Sequence, residues 1–208
     1  MLFYETIDSK TLELLKKLQE IPEFSNLYLV GGTSLALQIG HRISVDIDLF
    51  GKINVDELTI LKQLNRIGKI TVLKKSQNIN IYLIDGIKVD IVNYHYKWLN
   101  APISIDGLLL ADKKDIAAMK LSAITGRGTK KDFIDLYFLL QYYKLEEILN
   151  FYKQKYYDGS TFLVLKSLSY FSDADGDESL KILKPMNWNN VKKFIEQKLQ
   201  EYNKPRQN

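Results

Sequence analysis

Two adjacent glycines and two aspartates lie within one short stretch of the chain, LYLVGGTSLALQIGHRISVDIDLF at residues 27–50. Asp46 and Asp48 belong to a segment in which polar and apolar residues alternate, as they do in a β-strand with one buried face. Such a strand places both carboxylates on one side, about 6 to 7 Å apart along the chain. Like charges at this separation raise each other's pKa unless a cation neutralises them. The pattern therefore predicts a shared site for divalent cations, against the alternative of a solvated strand face.

The glycine pair is typical of a site for phosphate groups. Gly31 and Gly32 carry no side chain, so a phosphate can approach their backbone closely. A helix predicted to begin at Thr33 and Ser34 would offer backbone N–H groups and two hydroxyls to an anion. Arg42 follows the helix and is suited to binding triphosphate oxygens with its forked guanidinium, unless it is an ordinary loop residue. Taken alone, the glycines would also fit a plain tight turn.

The composition restricts which metal such a site could hold. The chain contains no cysteine and two histidines, which excludes thiolate sites and leaves little for a histidine-built one. Oxygen ligands favour Mg²⁺ or Mn²⁺. Asp90 lies between Val89 and Ile91 in a run that reads as a buried strand, where an aspartate without a partner would be costly. We therefore expect Asp90 to be a third metal-binding carboxylate.

The surrounding pattern predicts two domains with different secondary structure. Residues 1–105 combine helices at about 7–20, 33–40 and 55–68 with strands at 26–30, 43–50 and three later runs, of which the last two meet at a predicted Asp85-Gly86 hairpin. This is an α+β domain with a mixed or antiparallel sheet. From Leu108 on the pattern is helical, so residues 106–208 are predicted to form an all-helical domain.

Charged residues in the helical half permit two interpretations. Lys120 lies on the stripe of Ile116, Ala117 and Ile124, where an amphipathic helix normally carries an apolar residue. Either its stem packs there while the amine reaches water, or the amine reaches a triphosphate. Asp132 could simply form a capping box with Thr129.

Asp135 lies close to the same helix start and could have a structural role of its own. A residue at this position on a helix can pair with Lys131 or Arg127.

The formal net charge of +4 is weak support for a polyanionic partner. No apolar run approaches the roughly 20 residues that span a bilayer, and the first residues lack the order of a signal peptide. We therefore expect a soluble cytoplasmic protein with no membrane partner.

Together, GGTSLALQIGHRISVDIDLF, Asp90 and KLSAITGRGTKKDFIDLYFLL resemble the AbiEii-type nucleotidyltransferase toxins of the DNA polymerase β-like superfamily. The similarity extends over most of the chain. It implies a polymerase β-like nucleotidyltransferase domain followed by a helical domain, an NTP substrate, and a role in a bacterial toxin–antitoxin or phage-defence system. It also implies metal binding by Asp46 and Asp48, nucleotide contact by Gly32, Thr33 or Ser34, and catalytic roles for three further residues: Lys120, Asp132 and Asp135.

Arg127 follows Lys120 in the same motif, and we assign it to nucleotide binding with Gly31 and Arg42. The predicted reaction is Mg²⁺-dependent transfer of NMP from an NTP to an acceptor hydroxyl. Family resemblance and mild basicity favour RNA, and within it the tRNA 3′ end, as the acceptor. Two alternatives remain: a small acceptor such as an aminoglycoside, and a module that binds nucleotide or a partner protein without turnover. We expect a monomer, with an antitoxin as a further partner.

Overall fold

The computed structural model describes residues 1–54 and 56–204. The chain forms two compact units, Met1–Tyr96 with Ala101–Asp112, and Lys97–Asn100 with residues 113 onward. The predicted boundary near residue 105 differs from this division because the segment after Ala101 returns to the first unit as two short strands. None of the helices in the described part of the chain is both long and apolar enough to cross a membrane.

The first unit contains three α-helices, two short 3-10 helices (Tyr4–Thr6 and Pro22–Phe24) and all the strands found in the described residues. Its α-helices are α1 (Ser9–Gln19), α2 (Gly31–Ile39) and α3 (Glu57–Leu64). Its strands are β1 (Leu27–Leu29), β2 (Ile47–Gly51), β3 (Ile70–Lys75), β4 (Ile79–Ile84), β5 (Ile87–Asn93), β6 (Ile103–Ile105) and β7 (Leu108–Leu110). The predicted helix at 55–68 is found as α3, with Val55 outside the described residues.

Local sequence explains how these helices begin and end. Asp8 caps α1 by accepting hydrogen bonds from the backbone N–H groups of Lys10 and Thr11. Gly40 ends α2 in the left-handed conformation, with φ +67°, which glycine adopts readily. Asp85 and Gly86 both have positive φ, as a two-residue hairpin between β4 and β5 requires.

The seven strands form one mixed sheet in the order β3-β4-β5-β2-β1-β7-β6. The central strand β2 runs parallel to β5 and antiparallel to β1, and β1 runs parallel to β7. Asp48 is the direct register partner of Asp90 across the β2–β5 pair. The predicted α+β class with a mixed sheet is therefore confirmed.

One face of this sheet is packed and the other carries polar and aromatic residues. Ile47 and Leu49 of β2, with Val89 and Ile91 of β5, are fully buried in a core that includes the leucines of α1. Because side chains alternate along a strand, Asp48, Phe50 and Asp90 lie on the opposite face.

The predicted strand at 43–50 is too long at its start. β2 begins only at Ile47, so Val45 does not join the apolar face and is 60% exposed. The predicted change to helical pattern at Leu108 is also wrong, because β6 and β7 add to the sheet edge beside β1. Strands of three residues are too short to show a period of two, which explains why they were missed.

The second unit is helical over its described residues. It contains α4 (Lys113–Gly126), α5 (Lys130–Leu139), α6 (Leu145–Lys155), α7 (Thr161–Ser167), α8 (Ser172–Asp175) and α9 (Trp188–Asn203). Its core is formed by apolar residues of α4 to α7 and α9, among them Leu121, Phe133, Ile148, Val164 and Ile195. The predicted helical C-terminal part is confirmed.

Candidate active site

The first unit brings the glycine pair directly against one of the predicted catalytic carboxylates. Gly31 begins α2 with φ +66°, and a Cβ at this position would overlap the carboxylate of Asp48. The backbone N–H of Val30, just before α2, donates to the main-chain oxygen of Asp48 at 2.9 Å. The first turn of a helix has N–H groups without intrahelical partners, so an anion bound at the start of α2 would lie beside Asp48.

Asp46 is positioned by α2 although it lies just outside β2. The Thr33 hydroxyl is 2.8 Å from the Ser44 hydroxyl and also contacts the main-chain oxygen of Asp46. Thr33 and Ser44 are both buried. The helix that follows the glycines thus fixes the backbone on which the first aspartate stands.

Three predicted nucleotide contacts have side chains engaged inside the protein. Thr33 makes the contacts just described, and the buried Ser34 hydroxyl accepts a hydrogen bond from Gln38 at 3.1 Å. Arg42 is 3% exposed, and its Nη1 donates to the main-chain oxygen of Ile43 at 3.0 Å. Thr33 therefore positions the loop that precedes β2, whereas the Ser34 contact lies within α2.

A lysine not found by sequence analysis lies among the carboxylates. Lys88 Nζ donates to Asp90 Oδ1 at 2.7 Å. Partial burial opposes the charge of Lys88, but the hydrogen bond to Asp90 and the charges of Asp90, Asp48 and Asp46 outweigh it and raise the lysine pKa. Lys88 stands two residues before Asp90 on β5 and so shares its face, a signal that period-two alternation could have supplied.

The carboxylates have the chemistry that a hard divalent cation prefers, since all their donors are oxygens. Asp48 and Asp90 are neighbours on adjacent strands, and together with Asp46 they already act on one ammonium group. Within residues 1–54 and 56–204, however, no three His, Cys, Asp or Glu side chains are grouped closely enough to hold an ion. The residues therefore fit a metal in their chemistry, and Asp90 as a third ligand stays a prediction.

In the second unit, Lys120 lies in a buried ion cluster. Its Nζ is 3.0 Å from Asp132 Oδ1 and 2.6 Å from Asp135 Oδ2, and all three side chains are at most 5% exposed. Lys120 is not one of the partners predicted for Asp135 from the sequence. The pairing of Asp135 with Lys131 or Arg127 stays a prediction. Burial of the amine also rules out the expectation that Lys120 reaches water.

Asp132 accepts hydrogen bonds from two further residues, Arg127 and Thr129. Arg127 donates to it through Nε at 2.9 Å and Nη2 at 3.2 Å, and the Thr129 hydroxyl donates at 2.6 Å. Burial alone would raise the pKa of Asp132, but Lys120, Arg127 and Thr129 hold it well below its usual range. Thr129 therefore donates to the Asp132 side chain and makes no side-chain cap to the backbone of α5, contrary to the predicted capping box.

A second buried ion pair in this unit was not predicted. Lys155 Nζ is 2.7 Å from Asp115 Oδ1, and both side chains are fully buried. Asp115 also accepts hydrogen bonds from the backbone N–H groups of Leu99 and Asn100, and Lys155 lies over the Trp98 ring at 4.4 Å. These contacts fix the segment Lys97–Asn100 to the helical unit. They also offset the free-energy cost of burying the charges of Lys155 and Asp115.

A mixed sheet that carries aspartates beside a glycine-initiated helix, followed by a helical unit, is the arrangement expected of a nucleotidyltransferase. Two crystal structures share this fold: a proposed nucleotidyltransferase from H. pylori (TM-score 0.57, 19% identity, covering 95% of this chain and 100% of that one), and JHP933 from Helicobacter pylori (TM-score 0.54, 16% identity, covering 94% and 92%).

The chain belongs to the family of nucleotidyl transferase AbiEii toxins of type IV toxin–antitoxin systems, whose sequence profile matches residues 13–205. An uncharacterized protein of Aquifex aeolicus (strain VF5) is 36% identical over 196 residues, covering 91% of this chain and 94% of its relative. The resemblance found in the sequence is thus confirmed at the level of the family, and the chain is a nucleotidyltransferase that uses an NTP.

The contact between Gly31 and Asp48 leads to a first prediction. We expect Gly31→Ala to reduce transfer by roughly 10²-fold or more, because the new methyl group would displace a carboxylate from where charge develops. Steady-state transfer rates measure this effect. The matched control is Gly107→Ala, which has φ +79° but nothing within 4 Å of the added Cβ. Equal loss of activity in both variants would show that backbone strain, and not the clash with Asp48, causes the effect.

Proposed function

We propose that this protein transfers NMP from an NTP to the 3′ end of an RNA, with tRNA as the expected acceptor, and that this modification makes it a toxin. The observation that carries the proposal is the packing of Asp48 against Gly31 at the start of α2. This contact supports a site where a triphosphate and a catalytic carboxylate meet. Membership of a toxin family supports the cellular role.

In the proposed reaction the 3′-hydroxyl oxygen of the acceptor bonds to the α-phosphorus. The bond from that phosphorus to the oxygen bridging the β-phosphate breaks, pyrophosphate leaves, and the hydroxyl proton passes to solvent. Backbone N–H groups of Gly31 and Gly32 would bind the departing phosphates. Asp46 and Asp48, with Asp90 as a third ligand, would hold Mg²⁺ or Mn²⁺. Such an ion lowers the pKa of the hydroxyl and neutralises charge on the phosphates.

The helical unit supplies the other proposed roles. Lys120, Asp132 and Asp135 form one buried cluster, so they act as a unit and not as three separate groups. The Arg127 side chain is 57% exposed while two of its nitrogens bind Asp132. Such a partly exposed cation, held in a fixed direction, suits the binding of a triphosphate.

Transfer of label from an α-labelled NTP tests the proposed function directly. Each of the four NTPs is incubated with the protein, Mg²⁺ and total RNA, and products are separated by size. We expect one labelled band of tRNA size, with pyrophosphate released in equal amount. Label on a small molecule such as an aminoglycoside would support the alternative acceptor. Pyrophosphate release with no labelled RNA from any NTP would contradict the proposal.

A further inference from the structure

Three aromatic rings line the face of the sheet that carries the catalytic carboxylates. Phe50, Tyr94 and Tyr96 form this aromatic strip, with ring centroids 5.4 Å apart between Phe50 and Tyr94 and 5.5 Å apart between Tyr94 and Tyr96. All three are half-buried. Tyr28 of β1 is the register partner of Phe50 and extends the same face.

The register places the aromatic strip next to the carboxylates. Phe50 follows Asp48 by two residues on β2 and so stands on the same face about 6 to 7 Å further along. The backbone N–H of Tyr94 donates to the main-chain oxygen of Gly51 at 2.8 Å, which continues the pairing of β5 with β2 beyond Asn93. The aromatic strip is therefore a continuation of the Asp48–Asp90 surface.

The aromatic strip and Gly31 lie in opposite directions from Asp48 along β2. Since β1 and β2 are antiparallel, Asp48 lies beside the start of α2, whereas Phe50 pairs with Tyr28, upstream of it. Moving along β2 from Asp48 to Phe50 thus leads away from Gly31.

In an in-line phosphoryl transfer the attacking and leaving oxygens lie on opposite sides of the phosphorus. If pyrophosphate leaves toward Gly31, the acceptor approaches from the side of the strip. Aromatic rings on such a surface bind bases of single-stranded nucleic acid by stacking, with little regard to sequence.

We propose that the aromatic strip binds the 3′-terminal base of the RNA acceptor, with Tyr94 as its central stacking residue. This inference rests on the proposed function and adds a binding site for the acceptor that is separate from the site for the NTP. A small acceptor without a base would gain nothing from it.

Two substitutions and one altered acceptor test the assignment. Tyr94→Phe keeps the ring, whereas Tyr94→Leu keeps much of the apolar bulk without it. We expect Tyr94→Leu to raise the KM for acceptor RNA about tenfold, as loss of one base–ring stack does, with KM for the NTP and kcat within about twofold. Tyr94→Phe should stay within about twofold in all three constants.

An acceptor whose last nucleotide lacks its base provides a test that needs no change in the protein. Wild type should bind it about tenfold more weakly, and Tyr94→Leu should weaken its binding no further, because the two changes remove the same contact. A raised KM for the NTP with an unchanged acceptor KM would overturn the inference, and so would independent effects of the two changes. Absence of transfer to any RNA by wild type would instead overturn the proposed function, and this inference with it.

Discussion

Asp48→Asn should abolish nucleotide transfer while the fold is retained. The replacement has nearly the same shape, so it preserves packing against Gly31 but removes the charge that Lys88 and a bound cation would meet. Loss of one preorganised electrostatic group costs about 10² to 10³ in rate, and loss of a metal-binding charge should exceed that. Asp46→Asn should behave alike. The melting temperature should be unchanged or higher, because one like charge is removed from a group of three.

Transfer rates in the presence of Mg²⁺, with thermal unfolding curves of the same samples, measure both parts of this prediction. The matched control is Glu13→Gln, an exposed carboxylate of α1 paired only with Lys17 at the surface in the described contacts. In cells, expression of wild type should stop growth, whereas Asp48→Asn should not. Full activity of Asp48→Asn would refute the proposed role of this carboxylate. Equal toxicity of wild type and Asp48→Asn would show that growth arrest does not depend on this site.

Lys120→Met should impair both stability and activity. Removing the lysine takes one buried cation from both Asp132 and Asp135, whose side chains are fully buried. Breaking a buried ion pair in this way costs about 3 to 5 kcal/mol of unfolding free energy. If the amine also acts on the triphosphate, a further 10²- to 10³-fold of rate should be lost in the protein that remains folded.

Lys155→Met separates these two effects. It also removes a buried lysine from an aspartate in the helical unit, but Asp115 has no proposed role in transfer. Both variants should have a lower melting temperature, measured by circular dichroism. Rates are then compared per folded molecule, well below either transition. Activity of Lys120→Met within about threefold of Lys155→Met would show that Lys120 serves stability only.

The sequence by itself determined the features that depend on neighbouring residues. Alternation placed Asp46 and Asp48 on the face of their strand opposite to Ile47 and Leu49, because side-chain direction on a strand has a fixed period of two. The Asp85-Gly86 hairpin followed from the same local information, since two positive φ angles are easiest for these residue types. The end of α2 at Gly40 was also predicted from a residue type, because glycine readily adopts the positive φ angle found there.

Only the tertiary structure decided which charges meet. Lys120 offered two interpretations in the sequence, and the structure gave a third because α4 and α5 bring Asp132 and Asp135 to its amine. Lys155 and Asp115 are 40 residues apart, and no local pattern pairs them. Which charges pair in the interior depends on their distance in the folded chain. Burying a charge without a partner costs much free energy, so the fold must bring an opposite charge to each of them.

The sheet register was likewise invisible to local patterns. Asp48 lies beside Asp90, and Phe50 contacts Tyr94, because β2 and β5 pair in parallel in this particular register. Similarly, β6 and β7 are strands because they join the sheet edge beside β1. Parallel neighbours are joined by long connections, so their alignment depends on packing of the whole unit and not on adjacent residues. The sequence thus determined which residues are fit for nucleotide chemistry, and the fold determined which of them stand together.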